Sequence, residues 1–237
     1  MDKKIVENLM LLGFEEGSIA YLIDTSLESS RFKSFDIILN TEDHPQSPQI
    51  AEDENIYSIT HENQFNFKDN DHIPVHFGVL HAHIKNVLYY HFRYHHNIGK
   101  DRYHSFIHPL SYLPASSRYE TGFYIGQLSA VSSFSNFGFG VTIKKSCSIG
   151  HHCNFGDYVT VNPGSVIAGY SKIGDGTEIG TGSIISNNIT VGKHCLIGAG
   201  SVVTKDIPDG VIAYGNPCKV IRENERWQKA KELTKEF

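Results

Sequence analysis

Residues 167–203 read IAGYSKIGDGTEIGTGSIISNNITVGKHCLIGAGSVV, and within them an aliphatic residue returns at every sixth position: Ile167, Ile173, Ile179, Ile185, Val191, Ile197 and Val203. The same register runs upstream through Val161, Phe155, Ile149, Ile143, Phe137, Val131, Ile125, Tyr119 and Leu113 to Ile107. All seventeen positions are apolar or aromatic. Two residues before these anchors the chain carries a small side chain at most steps, among them Ser129, Ser135, Cys147, Cys153, Ser165, Ser171, Thr177, Ser183, Cys195 and Ser201. The residue after the anchor is Gly at 126, 138, 150, 156, 174, 180, 192 and 198, which suggests tight corners with unusual backbone angles. One aliphatic wedge and one small inward residue per hexad is what a narrow triangular solenoid needs to fill its interior. Three hexads make one coil, no coil can bury its own faces alone, and stacking supplies the core. An ordinary sandwich would instead show turn signals every 8–12 residues, roughly, and a broken register.

The rest of the composition narrows the class. The 237 residues carry 26 acidic and 21 Lys/Arg side chains, so no basic field for nucleic acid is implied. No apolar run approaches the roughly 20 residues that span a bilayer, and the start, Met1-Asp-Lys-Lys-Ile5, does not read as a secretory signal. The four cysteines (147, 153, 195 and 218) fit no zinc knuckle or CxxC spacing, and three occupy the small inward position of the repeat. The expectation is a soluble, cytoplasmic protein with reduced thiols, no nucleic-acid partner and no membrane insertion.

Three segments follow from the pattern: a small α/β unit over 1–104, a β-helix over 105–207, and an extended segment with a helix over 208–237. In the first, the spacing of Ile5, Leu9 and Leu12 predicts a helix from Lys3 to Leu12 stopped by Gly13. Residues Ile19–Ile23 read as a short buried strand ending at Asp24, and Phe35–Leu39 and Ile73–Leu80 as further strands, the last followed by a helix over about 82–94. The polar stretches 41–54 and 62–72 read as loops. Eleven of the fourteen histidines lie between 44 and 108. His91 and His95 are spaced i, i+4, which can place two metal ligands on one helix face. Their aromatic neighbours Tyr89, Tyr90, Phe92 and Tyr94 point to a packing face instead, and no metal is expected.

The C-terminal motifs carry a resemblance. Val191-Gly-Lys-His-Cys-Leu-Ile-Gly-Ala-Gly-Ser-Val-Val-Thr-Lys-Asp-Ile-Pro208, followed by Tyr214-Gly-Asn-Pro-Cys-Lys-Val-Ile-Arg222, resembles the close of hexapeptide-repeat acetyltransferases of the galactoside and maltose type. The stretch from Phe106-Ile-His-Pro109 through Ile149-Gly-His-His-Cys-Asn-Phe-Gly-Asp157 resembles bacterial sugar acyltransferases that N-acetylate nucleotide-linked amino sugars or O-acetylate sialic acid. The resemblance spans about 106–222. It implies a left-handed β-helix preceded by a small Rossmann-like domain, a homotrimer, acetyl-CoA as co-substrate, and a sugar or nucleotide-sugar acceptor. In that family the N-terminal domain opens with a strand and a Gly-rich turn for the nucleotide phosphates. No GxG element occurs in residues 1–77, so the chain is expected to start beyond that turn and to bind free nucleotide weakly. Asp24 matches the family's acidic residue after the second strand, on the substrate side.

Acyl transfer from a thioester needs a base for the acceptor's proton, a donor for the oxyanion, and a held cofactor. His151, two places after anchor Ile149 on an outward corner, aligns with the family's general base in an IxHxC context. His152 beside it is a substrate-side candidate standing where the family has an acidic residue that orients the base, which leaves Asp157 or Glu178 as substitutes. Thr181 and Ala199 are one coil apart and therefore stack at about 4.8 Å; both match coenzyme A contacts in the family, as does Thr160. Thr204, Lys205 and Arg222 match residues at the nucleotide end of coenzyme A, where cations suit phosphate. His151 and Ala199 are eight hexads apart, which is not a multiple of three, so they lie on different corners and a site joining them falls between subunits.

Two other readings use the same solenoid. A γ-type carbonic anhydrase needs three His around zinc, but His151 and His194 are separated by 43 residues and occupy different hexad positions. A non-catalytic scaffold would not need the Thr204-Lys205 and Gly215–Lys219 features.

Overall fold

The computed structural model describes residues 8–29, 31–41 and 56–235. From Phe106 to Val203 the chain is a left-handed parallel β-helix of two-residue strands, nearly every one of which ends on an anchor of the hexad register. Parallel pairing joins residues 18 apart, as in Thr142 with Thr160, Ser148 with Val166 and Asn154 with Lys172. Three faces result. The first carries Phe106, Tyr124, Thr142, Thr160, Glu178 and Leu196 just before its anchors; the second Ala130, Ser148, Val166, Ile184 and Val202; the third Arg118, Asn136, Asn154, Lys172 and Thr190.

The interior is filled as the repeat requires. Anchors from Ile125 to Val203 are buried, and the small residues two places earlier are buried with them. Their hydroxyls are satisfied by carbonyls fifteen residues on: Ser135 Oγ donates to Gly150 O at 2.9 Å, Thr177 Oγ1 to Gly192 O at 2.6 Å, and Ser183 Oγ to Gly198 O at 2.9 Å. The thiol of Cys153 takes the same slot beside Ala168 O at 3.3 Å, which explains why Ser, Thr and Cys interchange at this position. The corner glycines have a different cause from the one expected. Positive φ falls three residues after the anchor, at Gly140, Gly164, Gly176 and Gly200 but equally at Ser146, His152, Tyr170 and Asn188. The Gly just after the anchor is required by close stacking: a Cβ on Gly150 would stand 2.5 Å from Gly169 N, and one on Gly174 would stand 2.6 Å from Lys193 N.

The N-terminal unit is a four-stranded parallel sheet in the order β3-β2-β1-β4, with β1 at Asn8–Leu12, β2 at Ser34–Leu39, β3 at Tyr57–His61 and β4 at Val75–Phe77. This is the strand order of one half of a doubly wound sheet. Two elements differ from those expected of the sequence. Residues 8–12 form a strand, not a helix: Leu9, Met10, Leu11 and Leu12 are all fully buried, as in a parallel strand covered on both faces, and residues 3–7 lie outside the described residues. Residues 19–23 belong to helix α1, Glu16–Glu28, where Ile19, Leu22 and Ile23 are buried at i, i+3, i+4 while Asp24 is exposed. Helix α2 runs Ala82–His96 and ends on Asn97 in the left-handed conformation. Of the two expected loops, residues 42–54 lie outside the described residues, and 62–72 contains a short 3₁₀ turn, Glu62–Gln64.

This unit sits on the first face. Residues that point outward on the other faces are exposed, save the half-buried Val202, but Phe106, Tyr124, Thr142, Thr160 and Glu178 are buried. Phe77 and Tyr103 pack with Phe139 and Tyr158 of the solenoid. Lys85 of α2 is fully buried and donates to Gly140 O at 2.6 Å and Thr142 Oγ1 at 2.8 Å. The end of the chain closes the first face with a hairpin, Val211–Gly215 and Cys218–Glu223, and then helix α3, Glu225–Thr234, whose Trp227 packs on His194 at 4.1 Å. No helix among the described residues is long and apolar enough to cross a membrane.

Candidate active site

The corner between the second and third faces carries His151 and His152, both exposed. Because β-helix corners repeat every 18 residues, the positions stacked on His151 are Gly169, Asn187 and Lys205, and those on His152 are Phe134, Tyr170 and Asn188. His152 has φ 57 and stacks on Tyr170 at 4.9 Å and 20°, with Phe134 at 5.0 Å on its other side. The ring of His151 meets Tyr170 edge-on at 4.9 Å. Its Nδ1 lies 3.1 Å from Nδ1 of His152, so one ring donates and the other accepts. Gly169 lets the His151 ring lie over the next coil; a Cβ there would stand 3.0 Å from Cε1 and Nε2. Gly169 and Tyr170 were not singled out in the sequence, although adding 18 to 151 and 152 finds both.

The proposed carboxylate substitutes do not serve His151. Asp157 is on the corner between the third and first faces, paired with Lys100 at 2.9 Å. Glu178 is buried on the first face, where His81 Nδ1 lies at 3.3 Å and Asn162 Nδ2 at 3.1 Å. Burial pushes the Glu178 carboxyl up, but the His81 hydrogen bond and charge outweigh it and hold it below the usual range.

The expected cofactor residues divide. Thr181 and Ala199 are exposed and stacked on the corner between the first and second faces, with Gly200 N donating to Thr181 O at 2.8 Å. Thr204 and Lys205 are exposed on the His151 corner, with Lys205 three coils along from His151, roughly 14 Å at strand spacing. Arg222 is exposed on the terminal hairpin opposite Ile212, 4.0 Å from Glu225. Thr160 does not join them: it is fully buried beneath the N-terminal unit, its Oγ1 donating to Leu80 O at 2.8 Å. Asp24 is also displaced, since it follows no strand and lies exposed on α1, where burial and Glu28 raise its carboxyl.

The Gly-rich turn expected to be missing has a counterpart in place. β1 leads through Gly13, φ 80, to α1 with Gly17 in its first turn. Gly13 and Gly78 meet where β1 and β4 adjoin: Gly78 N donates to Leu12 O at 2.7 Å, and a Cβ on Gly78 would collide with Gly13 O. This is the topological switch point of the sheet, where such folds bind ligands. A cleft of about 230 Å³ opens beside it, lined by Glu15, Ser18, Tyr21 and Leu80 on one side and Lys144, Lys145 and Pro163 on the other. Glu15 at the helix start is already engaged, bonded to Ser18 and paired with His81 Nε2 at 3.1 Å. The His81 hydrogen bond lowers its carboxyl to about 2, and Glu15 and then Glu178 raise His81 to about 9. No local spacing signals this cleft, because its two walls are 64 or more residues apart in the chain.

Residues 170–205 match the family described as bacterial transferase hexapeptide (six repeats). No curated protein sequence matches the chain. Solved structures share its fold over nearly their whole length. The acetyltransferase domain of PglB from Neisseria gonorrhoeae, in complex with acetyl coenzyme A, is 21% identical with a TM-score of 0.74, covering 91% of this chain and 99% of that one. PerB from Caulobacter crescentus, in complex with CoA and GDP-perosamine, is 19% identical with a TM-score of 0.73 over 90% and 96%. WeeI from Acinetobacter baumannii is 21% identical with a TM-score of 0.72 over 90% and 99%. The likeness therefore includes the N-terminal unit as well as the solenoid.

Proposed function

We propose that the chain is an acetyl-CoA-dependent acetyltransferase acting on an amino group of a sugar carried on a nucleotide, with His151 as general base. The observation that carries this reading is an exposed corner imidazole whose Nδ1 is engaged by His152, on a fold shared over 90–91% of the chain with acetyl-CoA and GDP-perosamine complexes. With His151 Nδ1 donating to His152, Nε2 keeps its lone pair and takes the proton as the acceptor nitrogen bonds the thioester carbonyl carbon, while the C–S bond breaks and coenzyme A leaves as the thiol. Acetyl-CoA supplies the activated thioester carbonyl; Thr181 and Ala199 flank its pantetheine arm, and Lys205 and Arg222 meet its phosphates. Thr181 and Ala199 lie on a different corner of one chain from His151 and Lys205, so the reading includes a homotrimer in which neighbouring subunits complete each site.

Among the described residues His152, not a carboxylate, engages His151, which favours an amine over a hydroxyl acceptor because a neutral imidazole partner does not stabilise an imidazolium as a carboxylate does. The nucleotide is placed in the cleft at the switch point. His81, protonated between two carboxylates, offsets Glu15 there and leaves Lys144 and Lys145 as the charge that meets a phosphate. A thiol-release assay with acetyl-CoA against UDP-, GDP- and CMP-linked amino sugars, free amino sugars and free sugars tests this. Turnover on a nucleotide-linked amine is expected, and turnover on free sugars alone would transfer the reading to an O-acetyltransferase. No release with any acceptor, together with no coenzyme A binding by calorimetry, would leave a scaffold.

A further inference from the structure

Acyl transfer as read above uses none of the histidines at the end of α2, yet two of them converge. His91 Nε2 lies 2.8 Å and His96 Nε2 lies 2.9 Å from the same atom, Oε2 of Glu62. Glu62 comes from the 3₁₀ turn that follows β3, so the cluster joins two separate elements. The i, i+4 pair of the sequence, His91 and His95, is not the one selected. His95 stands beside His91 with ring centroids 4.7 Å apart, while His96, in the last turn before Asn97, reaches the carboxylate.

The three groups are held before any ligand arrives. The His96 ring stacks on Phe67 at 4.0 Å and 26°, and His91 lies edge-on to Phe92 at 5.1 Å. Side-chain exposure is 11% for Glu62, 18% for His91 and 19% for His96, so solvent still reaches the cluster. One ligand atom from each residue lies within 4.8 Å of the others.

Two imidazole nitrogens and one carboxylate oxygen, converging where solvent can supply a fourth ligand, form a donor set suited to zinc. Ligand atoms around a tetrahedral zinc stand about 3.3 Å apart, given bonds near 2.0–2.1 Å. The nitrogen–oxygen separations here need to open by only about half an ångström. We infer that Glu62, His91 and His96 bind one divalent transition-metal ion, zinc in the first instance, which clasps the Glu62–Gln64 turn to the C-terminal end of α2. The site is structural and stands apart from the acetyl-transfer reading.

The test titrates Zn²⁺ into chelator-treated full-length protein by calorimetry and by thermal melting, and Co²⁺ by absorption. One saturating equivalent per chain, a raised Tm and the visible bands of tetrahedral Co²⁺ are expected. His91→Ala, His96→Ala and Glu62→Gln should each weaken binding by at least about 100-fold, since even outer-shell partners of metal ligands are worth 10–100-fold. His95→Ala should keep it. The inference is overturned if the native protein takes up no saturating equivalent, if the three variants bind as the native chain does, or if His95→Ala costs as much as His96→Ala.

Discussion

At the scale of single residues, the proposed chemistry rests on how His151 is held. His151→Ala should lower kcat by about 10²–10⁴-fold, the usual worth of a positioned base, with secondary structure and oligomeric state retained. His152→Ala should cost much less, because it removes an orienting hydrogen bond and leaves the ring of His151 in place against Tyr170. Equal losses in both would mean that the pair acts as a unit, and no loss in His151→Ala would remove it from the mechanism. Gly169→Ala is a sharper test of position. Its Cβ would press on the imidazole at 3.0 Å, so kcat should fall by about tenfold to a hundredfold while KM for acetyl-CoA stays unchanged. Full activity in Gly169→Ala would show that the ring orientation seen here does not matter to turnover.

At the scale of elements, α2 and the turn before it fasten the N-terminal unit to the first face. Lys85→Ala leaves Gly140 O and Thr142 Oγ1 without their donor in a dry environment and opens a cavity, so a loss of about 2–4 kcal/mol is expected in chemical unfolding. Lys85→Met, which keeps the stem, should recover part of it. A second fastening is titratable. His81 is raised from 6.5 to about 9 by Glu15 and Glu178, so its contribution to stability is full below pH 6.5 and fades as pH rises through 9. Glu15 is lowered from 4.5 to about 2, so its share is full above pH 4.5 and fades as pH falls toward 2. The stability difference between the native chain and His81→Leu should therefore be largest between pH 4.5 and 6.5 and shrink by pH 9. A difference that stays flat from pH 6 to 9.5 would remove this clamp.

At the scale of the whole molecule, the middle of the second face stays exposed among the described residues. Val166 and Ile184 stack on it at 38% and 43% exposure, between the Thr181 corner and the His151 corner. An apolar column bordered by both half-sites suits a subunit interface, and sedimentation should show a trimer that Ile184→Asp dissociates with loss of activity. A stable, active monomer would sink both the interface and the shared site. Lys205→Ala and Arg222→Ala should raise KM for acetyl-CoA with kcat nearly unchanged, because they are assigned to its remote end and bind ground and transition states alike. Loss of kcat with KM intact would place them elsewhere.

The sequence by itself determined the solenoid, its register and its interior. A hexad repeat is local, each coil presents the same slot to the next, and so periodicity alone specifies which side chains face inward. It also placed His151 on an outward corner and separated that corner from the one bearing Thr181 and Ala199. The N-terminal unit was less legible. Short apolar runs, such as 9–12 and 19–23, fit helix and strand alike, and only burial on one side or both decides between them. Tertiary structure alone decided that the N-terminal unit covers the first face, and that fact removes Thr160 from any cofactor wall, engages Glu178 with His81, and walls the cleft with Lys144 and Lys145. It likewise chose His96 over His95 as the partner of His91 and Glu62. These outcomes depend on contacts between residues far apart in the chain, whose energies come from desolvation and pairing at closed interfaces, and no local spacing encodes them.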